Sequence, residues 1–186
     1  MISTGDLKRG IMIEMDNNIF SVVEFQHLKI GRGSAQVRMK LRNARTGAVI
    51  DRTVQAGEKW PRVRIEHREV QYLYPDPPNH VFMDKATFEQ MTITPAQLGE
   101  ALGYLKDGIE LELLMYGEEP IGVELPITLE LVITDTDPGF RGDTATGGTK
   151  PATLETGLVV NVPLFVVSGE TIRVDTRTGT YIERVS

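Results

Sequence analysis

The sequence contains no cysteine. That excludes a disulfide framework, a thiolate metal site and a cysteine nucleophile, and it suits a reducing compartment. No apolar run approaches the ~20 residues that a membrane-spanning helix needs. The first residues, Met1 to Asp6, lack the basic and apolar segments of a secretory signal. A cytoplasmic protein without membrane contact is therefore expected. Histidine is scarce as well: His27, His67 and His80 stand at no metal-ligand spacing such as HExxH. Neither a GxSxG elbow nor a GxxxxGKS/T phosphate loop occurs. Gly31-Arg32-Gly33 and Gly139 to Gly142 are too short to be nucleotide fingerprints, and Asp135, Asp137 and Asp143 do not follow the order of an EF-hand. Glu118-Glu119 falls in a predicted turn, where solvation explains it. With no nucleophile–base constellation, no enzyme activity, metal or cofactor is expected.

What is present is a charge segregation that the net value of −6 hides. Residues 1–63 hold 11 Lys or Arg and 6 Asp or Glu, a surplus of five positive charges. Residues 64–128 carry a surplus of eight negative charges, and residues 129–186 one of three. From Gln26 to Ile50 stand Lys29, Arg32, Arg38, Lys40, Arg42 and Arg45, with no acidic residue. Such a run is either a solvated basic face or a polyanion contact, because binding follows the local field of a patch. The spacing adds geometry. Val37, Met39 and Leu41 alternate with Arg38, Lys40 and Arg42, so one strand presents an apolar face and a stripe of three cations able to follow phosphates.

Period-two patterning dominates the chain. Strands are predicted at Ile11 to Met15 and Ile19 to Phe25 around a turn at Asp16-Asn17-Asn18, with a tight tip at Gly31-Arg32-Gly33. Thr53-Val54 and Val63 to Ile65 supply further short strands. In the middle third, Glu69 to Tyr74 and Val81 to Met83 flank Pro75 to Asn79, read as a turn because proline offers no ladder donor. One helix is predicted from Thr94 as cap and Pro95 at the first position, with Leu98, Leu102 and Leu105 on one face and Gly108 as its end. Ile109 to Tyr116 and Ile121 to Leu125 are strands. The last third has strands at Thr128 to Thr134, Leu158 to Val167, Thr171 to Asp175 and Thr180 to Val185, and a loop from Asp135 to Pro151. Many short strands with frequent turns and one helix indicate an all-β protein of three small barrels, 1–63, 64–128 and 129–186, in an elongated arrangement.

From Lys150 to Tyr181 the chain reads Lys150-Pro151-Ala152, Leu154, Gly157, Val160, Val162-Pro163, Phe165-Val166, Gly169-Glu170, Ile172, Val174-Asp175-Thr176, Gly179 and Tyr181. This run resembles the C-terminal signature of the bacterial elongation factor P family. Asp6 to Gly10 is similar to the family's opening, and Gly31-Arg32-Gly33-Ser34-Ala35 with Lys40-Leu41-Arg42-Asn43 to its first-domain tip and strand. Gln71 to Tyr74, Phe82-Met83-Asp84 and Gly142-Asp143-Thr144 extend the likeness.

The resemblance implies an SH3-like (KOW-type) N-terminal domain followed by two OB-folds. It implies a monomeric translation elongation factor that enters the ribosome between the peptidyl and exit tRNA sites and relieves stalling at consecutive prolines, its partners being both ribosomal subunits, peptidyl-tRNA and the exit-site mRNA codon. Arg32 takes the tip position, the place of modification in the family, in a loop with Lys29, Gly31, Gly33 and Ser34. Arg38, Lys40 and Arg42 take phosphate contacts, Gly142, Asp143 and Thr144 the exit-site codon loop, and Tyr181 and Arg184 contacts with the small subunit. Arginine cannot accept the amine-directed lysylation of lysine-tipped members. The tip neighbours of rhamnosylated members differ from Ile30-Gly31-Arg32-Gly33-Ser34, so a bare Arg32 and a sugar adduct placed by a tip-modifying enzyme both stay open. A paralogous RNA-binding factor of the same fold, acting on a different RNA or ribosomal state, is the alternative function. An OB-scaffold enzyme on carbohydrate or oligonucleotide is a further reading, because fold alone does not fix function.

Overall fold

A computed structural model describes residues 1–29, 31, 33–139 and 147–186. Six strands come from the first third: β1 (Ile2–Ser3), β2 (Met12–Met15), β3 (Asn18–Leu28), β4 (Gln36–Asn43), β5 (Val49–Gln55) and β6 (Lys59–Trp60). β2 to β5 form an antiparallel meander, and β1 pairs β6. The β2–β3 turn places Asp16 and Asn17 at φ 52° and 59°, the left-handed pair that a two-residue hairpin requires. The expected alternation holds in β4, where Val37, Met39 and Leu41 are fully buried among Ile13, Phe20, Val22 and Trp60. Burial of each such side chain contributes ~1.5–3 kcal/mol.

The middle third gives β7 (Glu66–Asp76), β8 (Asn79–Asp84), β9 (Gln90–Ile93), the single α-helical turn α1 (Pro95–Leu98), β10 (Glu110–Tyr116) and β11 (Glu119–Glu124). Their sheet runs β11-β10-β7-β8-β9. The last third gives β12 (Thr128–Thr136), β13 (Thr149–Leu154), β14 (Val159–Pro163), β15 (Thr171–Asp175) and β16 (Thr180–Arg184), in the order β14-β13-β12-β15-β16. Leu131, Ile133, Leu154, Val162, Ile172 and Val174 fill that barrel. By contacts the chain forms two compact units: Met1–Arg68 with Ile93–Gly99 and Leu113–Val123, and Glu69–Thr92 with Glu100–Glu112 and Glu124–Ser186.

Several local expectations are corrected. The predicted helix stops at Leu98. Its start is as read: the Thr94 hydroxyl accepts from the Gln97 N–H at 3.3 Å, and Gln97 Oε1 accepts from the Thr94 N–H at 2.9 Å. Gly99 then adopts φ 57°, ψ −130°, and Gly99–Tyr104 continues as a 3₁₀-helix, which leaves Leu102 39% exposed instead of on a buried stripe. Pro75 is a strand residue opposite His80, because an edge of the β7–β8 ladder can spare its donor, and only Pro77-Pro78 turns. Val63 to Ile65 is not a strand. Val63 and Ile65 pack instead into an apolar cluster with Ile19, Ala44, Leu114 and Ile121, so their period of two reflects packing without a ladder. β1, β6, β9 and β13 carried no recognised signal, and the loop expected from Asp135 to Pro151 is strand at both ends, up to Thr136 in β12 and from Thr149 in β13.

Within the first compact unit that cluster joins the root of the β3–β4 pair to the β10–β11 hairpin. Arg42 Nη2 donates to the Ala96 carbonyl at 2.7 Å, one of the acceptors freed where α1 ends. A Cβ on Gly99 would stand 2.1 Å from Arg42 Nη1, so glycine there makes room for the guanidinium as well as for the backbone. Arg45 forks onto Glu119, with Nε to Oε1 at 2.7 Å and Nη2 to Oε2 at 3.0 Å. The fork holds the Glu119 carboxyl below its ordinary range and raises the Arg45 guanidinium.

Candidate nucleic-acid interface

The loop between β3 and β4 carries the exposed residues Lys29, Gly31, Gly33 and Ser34. Gly31 sits at φ 50°, a left-handed conformation that suits glycine in a tight reversal. Arg32, the predicted tip, and its neighbour Ile30 lie outside the described residues.

From this loop β4 leads back into the barrel, and its outward residues are the predicted phosphate stripe. Arg38 is exposed and Lys40 half-buried. Cross-strand register decides their surroundings. Lys40 stands opposite Glu24 on β3 and Asp51 on β5. Its Nζ lies 3.5 Å from Glu24, and Arg38 Nε lies 4.0 Å from Asp51, with all four side chains well solvated. These are loose surface pairs, worth ~0–1 kcal/mol each, that a polyanion can displace. Together with Phe25 and Gln26 they line a groove of about 380 Å³. The rings of Phe25 and His27 meet edge to face at 5.9 Å beside it. Sequence reasoning missed Glu24 and Asp51, which flank the acid-free window. It also missed Phe25, which stands opposite Met39 on the core side of the pair and is only half-buried there. Arg42 differs from the other two, since its guanidinium is bound to Ala96.

On β16, Tyr181 is half-buried opposite Val174 on β15. Arg184 is exposed, donates to Glu170 Oε1 at 3.1 Å and lies over the Phe165 ring at 5.4 Å. Phe165 itself is 61% exposed, a large apolar surface that the sequence reading passed over. The predicted codon loop, Gly142, Asp143 and Thr144, lies outside the described residues. No helix among the described residues is long and apolar enough to cross a membrane.

An N-terminal four-stranded meander with a two-stranded β1–β6 pair, followed by two five-stranded sheets, is matched in order by three family descriptions. They are the elongation factor P KOW-like domain over residues 3–60, the elongation factor P OB domain over 65–123 and the elongation factor P C-terminal domain over 129–184. The chain belongs to the elongation factor P family. Elongation factor P of Pelotomaculum thermopropionicum is 56% identical over 185 residues, covering 100% of both chains. That of Moorella thermoacetica is 56% identical over 184 residues, covering 99% of this chain and 100% of the relative. Among solved structures, eukaryotic translation initiation factor 5A from Methanococcus jannaschii matches with a TM-score of 0.50 and 21% identity, over 67% of this chain and 91% of that one, a likeness of fold. Membership of the elongation factor P family makes this chain a translation elongation factor, nearly all-β, with a KOW-like domain ahead of its OB domain.

Proposed function

We propose that this protein binds the ribosome between the peptidyl and exit tRNA sites and promotes peptide-bond formation at consecutive prolines by positioning peptidyl-tRNA. The observation that carries this reading is the unbroken match, domain by domain and end to end, to elongation factor P. Proline is a poor nucleophile and a rigid peptidyl donor, so the reactive geometry is rarely populated. Holding the donor in place lowers that barrier without supplying a reactive group, and ribosomal RNA remains the catalyst.

In this reading Arg32 reaches the end of the peptidyl-tRNA, with Gly31 and Gly33 letting the backbone approach closely. Lys29, Arg38 and Lys40 neutralise acceptor-arm phosphates, which gives affinity without sequence reading. Gly142, Asp143 and Thr144 face the exit-site codon, where a carboxylate can accept from base or ribose donors. Tyr181 and Arg184 face the small subunit, beside the exposed Phe165. Arg32 is either bare or sugar-modified, and the intact mass of native protein against 20.7 kDa distinguishes the two.

The test is Arg32→Ala in a purified translation system with a polyproline reporter and a proline-free control. Rescue should fall about 100-fold, the cost of misplacing a reacting group by ~1 Å, with the control and the folding transition unchanged. Full retained rescue removes the tip from the mechanism. Absence of rescue by the unaltered protein removes the whole proposal and favours a paralogous role on another RNA.

A further inference from the structure

β4 has two ends with different surroundings. One leads into the exposed tip loop, and the other enters the turn at Ala44 to Gly47, where Arg42 and Arg45 meet α1 and the β10–β11 hairpin within one compact unit. We propose that Arg42 and Arg45 are positioning residues for the proposed activity: they fix the root of β4 so that its far end presents the tip in a single orientation. This rests on the positioning function proposed above and adds the part of the molecule that enforces it.

The contacts suit that task better than RNA binding. The Arg42 guanidinium is fixed by the Ala96 carbonyl and seated over Gly99, with no room for a side chain between them. Arg45 makes both bonds of a fork to Glu119 and a third, from Nη1, to the Asn17 carbonyl at 3.3 Å. Planar forks fix angle as well as distance, which a point charge does not. The turn between them is braced by the Asn43 Oδ1, which accepts from the N–H groups of Arg45 and Thr46 at 2.9 and 3.0 Å. A Cβ on Gly47 would stand 3.3 Å from the Ala96 Cβ, so glycine lets this turn come close to α1.

Eight residues of β4 at ~3.3 Å each span about 25 Å. A tilt of about 5° at the root therefore moves the tip end by about 2 Å, and misplacement of ~1 Å can cost ~100-fold in rate. A surface fork that contributes little to stability can thus matter greatly to alignment.

The experiment uses the full chain carrying Arg45→Glu, Glu119→Arg or both. The rate of polyproline synthesis at saturating factor is measured apart from the factor concentration giving half the effect. Each single variant should lower the saturating rate about 10-fold with an unchanged thermal midpoint, and the charge swap should recover it to within about threefold. If Arg45 were a phosphate contact, the half-effect concentration would rise instead and the swap, which leaves residue 45 acidic, would not restore it; that result overturns the proposal. So does a single variant with an unaltered saturating rate. A readout independent of the ribosome uses the absence of native cysteine: spin labels at Ser34→Cys and Glu118→Cys. Their distance distribution should broaden in each single variant and narrow again in the swap. An unchanged width overturns the joint whether or not the unaltered protein rescues prolines, whereas failure of that rescue with the broadening intact overturns only the proposed function.

Discussion

The outward cations of β4 are held differently from those of the C-terminal barrel. Among the described residues, each C-terminal cation is tied to a partner. Arg173 pairs with both Glu130 and Glu183, Arg177 forks onto Asp175, and Arg184 is tied to Glu170. Lys150 is the extreme case: an inward position of β13 buries it to 6% exposure, and its Nζ donates to the Asp137 carbonyl at 2.6 Å. On β4, Arg38 and Lys40 keep carboxylates at 4.0 and 3.5 Å as loose, solvated pairs. Availability of a positive charge thus depends on what its neighbours across the ladder offer, more than on how many cations share a segment.

The comparison breaks most visibly at its two lysines. Lys150→Ala should cost about 2 kcal/mol in urea unfolding, since it strands a carbonyl and empties a buried position. Lys40→Ala should cost less than about 0.5 kcal/mol, yet reduce by about one the salt slope of ribosome affinity. Equal stability losses at both positions would erase the distinction. The arginines sharpen it on a smaller scale. Removing Arg173, which holds two carboxylates, should lower the same denaturation midpoint slightly more than Arg38→Ala does.

The smallest effect is expected at the Arg45–Glu119 fork under acid. The Glu119 carboxyl titrates below its ordinary 4.5, chiefly through the hydrogen bond from Arg45. Its contribution is therefore complete above about 4.5 and lost as pH falls through the depressed value. The spin-label distance should broaden modestly below pH ~4.5 and remain constant from there to neutrality; broadening at neutral pH would assign the effect to another group.

Much of the fold was legible because strand parity is a local property. Val37, Met39 and Leu41 announced the buried face of β4. The helix was overextended because Leu98, Leu102 and Leu105 fit a 3.6-residue period, while Gly99 within that pattern was the warning that the turn ends early. Of the candidate interface, the basic run and the alternation were visible. The tip's significance came only from the likeness to a family, since a glycine-flanked arginine is chemically ambiguous by itself.

The sequence by itself determined an all-β chain, the place of most strands, the buried face of β4 and the concentration of positive charge near one loop, because periodicity and composition act over a few residues. Tertiary structure decided which of those charges are spoken for. Glu24 and Asp51 reach Lys40 and Arg38 only through strand register, and Ala96 and Glu119 reach Arg42 and Arg45 only after chain segments 54 and 74 residues away are folded against the same turn. Distances of that kind are set by packing between remote segments, which no local pattern encodes.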